Sequence, residues 1–131
     1  MTISLNQYIT ADGAHPERLK SYELTSDVIR NAKELLTRVN ALLITLSVNP
    51  KVTSGFRPSD VNKILPNSAK RSAHMTGQAV DLADADGALD KACTVTVLKA
   101  FDLYREDSTA TPGWCHLQWR PTLSGKRIFM P

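Results

Sequence analysis

From Ser26 onward, apolar residues fall at Val28, Ala32, Leu35, Leu36, Val39, Leu42, Leu43 and Leu46, with Arg30, Lys33, Glu34, Thr37 and Arg38 between them. That spacing gathers the apolar side chains on one face of an α-helix and predicts the main core helix. Thr25 or Ser26 can accept a hydrogen bond from the free N–H groups of its first turn, and Asp27 suits the positive helix end. Asn49-Pro50 stops the helix, because proline has no N–H to donate and disfavours helical geometry in the residue before it. A second amphipathic helix is expected over 88–105, burying Leu89, Ala92, Val95, Leu98, Phe101 and Leu103 or Tyr104.

Short strands are expected at 51–54, 78–82, 114–119 and 126–129, set off by turn residues such as Gly55, Pro58, Gly87, Pro121 and Gly125. Ser59 can cap a short helix running to Ile64, and 65–76, carrying Pro, Asn, Ser and Thr, reads as a loop. Residues 1–25 mix short apolar pairs with Gly13 and Pro16 and read as a helical or irregular lead-in wrapping the domain. The order helix, strand, strand, helix, strands predicts an α+β fold, a small antiparallel sheet with helices packed against it.

A chain of 131 residues with 42% hydrophobic content suits one domain over 1–131 that closes its core without disulfides. A monomer is expected. The net charge of +3 comes from interspersed basic and acidic residues with no like-charge block, so no nucleic-acid partner is expected. The longest apolar stretch, 41–48, is too short to cross a bilayer, and no stable membrane association is expected. The N-terminus lacks a basic start followed by an apolar run, which predicts synthesis in the cytoplasm without a signal peptide. Cys93 and Cys115 can pair, but a chain made in a reducing compartment more often keeps both as thiols.

Candidate chemistry gathers in Ser72-Ala73-His74-Met75-Thr76-Gly77-Gln78-Ala79-Val80-Asp81. On a strand, Gly77, Ala79 and Asp81 share a face, and two very small side chains would clear space beside the carboxylate. His74 precedes the strand and can fold back over it. Further on, His116 shares a strand face with Trp114 and Gln118, while Cys115, Leu117 and Trp119 point the other way. Two imidazoles and a carboxylate make the three-ligand set of a catalytic zinc site with a fourth position open to water. On spacing alone, the same residues read more readily as satisfied core or surface side chains.

Ser72-x-His74-x-x-Gly77-x-Ala79-x-Asp81, preceded by Ser54-Gly55-Phe56-Arg57-Pro58 and followed by Trp114-x-His116, resembles the zinc D-Ala-D-Ala carboxypeptidase and L-alanyl-D-glutamate endopeptidase family. That family includes VanY-like enzymes and many bacteriophage endolysins, and the resemblance spans roughly residues 50 to 120. It implies that His74, Asp81 and His116 bind zinc and that Arg57 binds or polarises the substrate near the scissile carbonyl. Arginine suits that task through its planar, permanently charged fork. Many members carry an acidic general base two or three positions before the last histidine, where this chain has Gly113 and Trp114. In one branch the base lies about ten residues upstream, a place that Glu106 matches at the expected end of the second helix, with Asp107 as its competitor.

Ser72 can hydrogen-bond a zinc ligand or the substrate, or serve as a turn serine. Trp114 can line the substrate cleft or close the core. The resemblance implies zinc-dependent hydrolysis of peptidoglycan stem peptides at the cell wall, by a phage-type endolysin or a D,D-carboxypeptidase. The alternative is a non-catalytic, zinc-stabilised virion or wall-binding protein, motivated by the missing acid before His116.

Overall fold

The computed structural model describes residues 2–65 and 71–131, so the loop expected over 65–76 lies outside the described residues at 66–70. The main helix forms where its periodicity places it. After α1 (Leu5–Thr10) and a 3₁₀ turn (Pro16–Lys20), α2 spans Ser26–Leu46 and buries Ala32, Leu35, Leu36, Val39, Leu42 and Leu43. Thr25 is the cap, its hydroxyl accepting from the Val28 amide at 3.2 Å. The helix ends one turn before Pro50, at Ser47, whose φ of 57° turns the chain left-handed.

The lead-in belongs to the core itself. Ser4 and Gln7 close a capping box on α1, which drives Tyr8 into the interior with no solvent exposure. Its hydroxyl donates to the Ala79 carbonyl at 2.8 Å. Burial, reinforced by the Asp81 charge, pushes that phenol far above its ordinary pKa, so it stays a donor. The backbone of Gly55 crosses so close to α1 that a Cβ there would lie 1.8 Å from the Tyr8 carbonyl oxygen. Only glycine fits, because the obstacle is main chain and cannot swing aside. Gly55→Ala is therefore expected to cost about 3 kcal/mol, the upper end of core overpacking. Thermal unfolding should show a fall of roughly 10 °C in Tm; an unchanged Tm would mean that this close approach does not exist.

The chain continues through β1 (Val52–Ser54), α3 (Ser59–Ile64), β2 (Ala79–Ala83), α4 (Ala88–Ala92), α5 (Val95–Phe101), β3 (Tyr104–Glu106), β4 (Trp114–Gln118) and β5 (Ile128–Phe129). The strands form one sheet in the order β1-β2-β4-β3-β5, and with the helices this is an α+β fold. All pairings are antiparallel except at one edge, where β5 lies parallel to β3 with Glu106 opposite Phe129. No described helix is long and apolar enough to cross a membrane.

Local chemistry overrides the helix expected over 88–105. Asp84 accepts from the amides of Leu89 and Asp90 and caps α4, which ends at Cys93. Thr94 then caps α5 by accepting from the Val97 amide, and Asp102, at φ 52°, closes it. Freed from the helix, Tyr104–Glu106 pair with β4 as β3. Val95, expected in the buried stripe, is 43% exposed, whereas Leu98 and Leu103 are fully buried. Ser59 likewise begins α3 rather than capping it, its amide and hydroxyl both donating to Glu23.

Candidate metal centre

β2 and β4 pair so that Asp81 stands directly opposite His116. Side chains at paired positions emerge on the same face of a sheet, and the Asp81 Oδ1 lies 2.9 Å from His116 Nδ1. His74 arrives from the turn before β2, where Ser72 Oγ accepts from its amide at 3.2 Å. Its Nε2 lies 3.3 Å from Asp81 Oδ2, and the two imidazoles meet edge to face with centroids 5.3 Å apart. One ligand atom from each of His74, Asp81 and His116 falls within 4.8 Å of the others.

What lies behind each ring decides which nitrogen faces this cluster. His74 Nδ1 is 2.9 Å from the Gly55 carbonyl, which can only accept, so that nitrogen carries a proton and Nε2 is the one turned to the cluster. His116 Nε2 is 2.8 Å from Gln118 Oε1, and the Gln118 amide nitrogen is committed to the Arg120 carbonyl at 2.7 Å. The glutamine oxygen is thereby turned to the ring, which leaves His116 Nδ1 to face Asp81. Such outward anchoring of a ligand histidine is how metal sites fix ring and tautomer. Both rings are buried, at 3% and 5% exposure.

Burial acts to raise the Asp81 pKa, but attraction to His74 and hydrogen bonds from His116 and His74 outweigh it and hold the carboxyl well below the usual range. It is ionised and ready to ligate. For His116, burial opposes the charged form, yet the Asp81 hydrogen bond and charge lift its pKa above the ordinary imidazole value. The donor set suits a divalent cation of the zinc type, two imidazole nitrogens and one anionic oxygen that converge; binding one would release the protons that the imidazoles share with Asp81.

Arg57 and Glu106 border the cluster. Arg57 Nη1 donates to Asn62 at 3.1 Å, its Nη2 donates to Ser54 at 3.2 Å, and Nη2 stands 3.9 Å from Asp81. Burial lowers its pKa, the Asp81 charge opposes this, and a guanidinium stays cationic in either case. Glu106 Oε1 is 3.6 Å from His116 Nδ1, reaching the cluster from β3 rather than from the helix end expected for it. Asp107 instead accepts from the amide and hydroxyl of Thr109, which hold its carboxyl below the usual range.

Of the roles open to Ser72, the geometry shows the contact with His74. The residue is 7% exposed and its hydroxyl is turned to the histidine amide. Trp114 is half-buried at the start of β4, opposite Ala83. Gly77 does not clear space for a metal. It precedes β2 in a left-handed turn at φ 77°, and a Cβ there would lie 2.5 Å from the Val28 carbonyl oxygen, so its smallness lets this turn pack on α2. Cys93 and Cys115 are both buried free thiols.

Several neighbours were not singled out from the sequence. Gln118 carried a signal, since it alternates onto the face of His116. Asn62, Ser54 and Phe129, whose ring stands edge to face 6.2 Å from that of His116, carried none, because only tertiary packing brings them in. A cleft of ≈ 390 Å³ opens between the lead-in and the start of α3, with Arg18, Tyr22 and Pro58 in its wall. None of the three clustered ligand atoms belongs to a residue lining it. The family model described as Peptidase M15 matches residues 13–117. No curated protein and no solved structure matches the chain.

Proposed function

Because the chain belongs to the Peptidase M15 family of zinc metallopeptidases, we propose that it hydrolyses a peptide bond in peptidoglycan stem peptides, with His74, Asp81 and His116 as zinc ligands. The observation that carries this reading is the donor set, two outward-anchored imidazoles and an ionised carboxylate within 4.8 Å of one another. Hard cations such as calcium and magnesium prefer all-oxygen sites, so the two imidazoles favour zinc. Held by these three residues, zinc would supply the polarisation of a carbonyl oxygen and the activation of water near neutral pH.

The protein's own groups then divide the work. Arg57, steadied by Ser54 and Asn62, presents its charge to the oxygen of the scissile carbonyl and stabilises the negative charge that develops there. Glu106, on the His116 side, takes a proton from the attacking water and returns it to the departing amine nitrogen. Ser72 holds the His74 backbone, and Trp114 lines the side on which the peptide lies. The substrate is a wall peptide, and the action that of a phage-type lysis enzyme or a D,D-carboxypeptidase at the cell wall. The position of Glu106, 3.6 Å from His116, supports catalysis over a purely structural zinc site.

Purified protein incubated with peptidoglycan, with zinc and after chelation, tests the proposal. Release of new amino termini that stops on chelation and returns with zinc is the expected result. A zinc-dependent rise in Tm without any such release would favour the non-catalytic wall-binding protein instead.

A further inference from the structure

Arg18 sits in the 3₁₀ turn of the lead-in and is 7% exposed. Its Nη1 donates to the Phe56 carbonyl at 3.1 Å, while its Nε has no partner among the described residues. No carboxylate forms an ion pair with it among those residues. Glu17 and Asp60 contribute only at longer range, and the like charge of Arg57 acts against it. A buried cation without a paired anion is costly, and an apolar side chain of similar length would fill the space at less expense in free energy.

What Arg18 holds accounts for its presence. Phe56 C=O and Arg57 N–H belong to one rigid peptide plane. Arg18 fixes the oxygen of that plane, and its N–H donates to the His74 carbonyl at 3.1 Å. The neighbouring carbonyl, Gly55, receives His74 Nδ1. The segment 55–57 is thus gripped by His74 on one side and Arg18 on the other, and from it the Arg57 side chain departs towards Asp81.

We infer that Arg18 is a positioning residue: by clamping the Phe56–Arg57 peptide plane it aims Arg57 at the substrate carbonyl and holds the Gly55 carbonyl behind His74. This rests on the proposed function, on its zinc ligands for the effect on metal affinity and on its peptidase chemistry for the effect on turnover. Partners that orient a ligand from outside are commonly worth roughly 10- to 100-fold in metal affinity or activity.

The test is Arg18→Met and Arg18→Lys in the full chain, read by Tm, by zinc affinity in competition with a chromogenic chelator, and by kcat and KM on peptidoglycan. Arg18→Met should change Tm little, because removing an unpaired buried charge offsets the Phe56 carbonyl left without its donor, while zinc affinity falls about tenfold and kcat/KM falls about 10- to 100-fold. Lysine can still donate one bond to the Phe56 carbonyl and should restore most of both losses. Wild-type zinc affinity in Arg18→Met would overturn the inference, as would losses that merely follow a lowered Tm. If Arg18→Met does not fold, Arg18→Lys decides alone: near-wild-type zinc affinity supports the clamp, and a loss of affinity at normal Tm overturns it. Absence of turnover in the wild type would instead refute the peptidase reading, leaving the zinc-affinity arm as the measure of Arg18.

Discussion

Asp81→Ala is expected to leave a folded protein that no longer retains zinc through dialysis and no longer cleaves peptidoglycan. Asp81 stands between the two imidazoles, its Oδ1 2.9 Å from His116 and its Oδ2 3.3 Å from His74. Alanine leaves only two neutral nitrogens, short of the three protein ligands that a catalytic zinc site uses. The loss in affinity should exceed the roughly 100-fold that removing a mere supporting partner can cost. Elemental analysis after dialysis, with circular dichroism to verify folding, measures it. Stoichiometric zinc in folded Asp81→Ala would show that the ion is held elsewhere, and the proposed ligands would have to be abandoned.

The second large effect is expected at Glu106. Glu106→Gln keeps the size of the side chain and removes only its ability to accept a proton as a carboxylate. If Glu106 is the base, kcat should fall by about 10²- to 10⁴-fold, the usual contribution of general acid–base catalysis. Zinc content should stay normal, because the three ligands are untouched. Asp107→Asn is the matching control: its carboxylate is occupied by Thr109, so activity should be nearly unchanged. Full turnover by zinc-loaded Glu106→Gln eliminates the assignment, and a large loss in Asp107→Asn would move it one residue along.

The two variants separate binding from chemistry because the groups come from different strands. β2 and β4 carry Asp81 and His116 in one register, whereas Glu106 lies on β3, on the far side of β4. The sheet is what brings them together. That order also explains how a chain with Gly113 and Trp114 where many relatives of this kind place an acid can still have a carboxylate near the metal site.

Much of this was legible beforehand. The α2 stripe, the strand carrying Asp81 and the strand carrying His116 all announce themselves by periodicity. Alternation around His116 also put Gln118 on its face, a pairing realised as the 2.8 Å bond that orients the ring. Residues 88–105 were misread because apolar spacing alone cannot register that Asp84 and Thr94 cap separate helices and that Asp102 ends the second in a left-handed turn. Gly77 was assigned the wrong reason for being small. Its need is the approach of α2, some fifty positions earlier in the chain.

By itself, the order of residues determined the α+β class and the main helix, because hydrophobic period and strand alternation are local properties of the chain, while His74, Asp81 and His116 stood out as a set only through the motif resemblance. Tertiary structure alone decided that Asp81 faces His116 across a strand pair, that Glu106 rather than Asp107 turns inward, and that Arg18 braces the segment before His74. Those relations depend on strand register and on contacts between segments far apart in sequence, which no local pattern encodes.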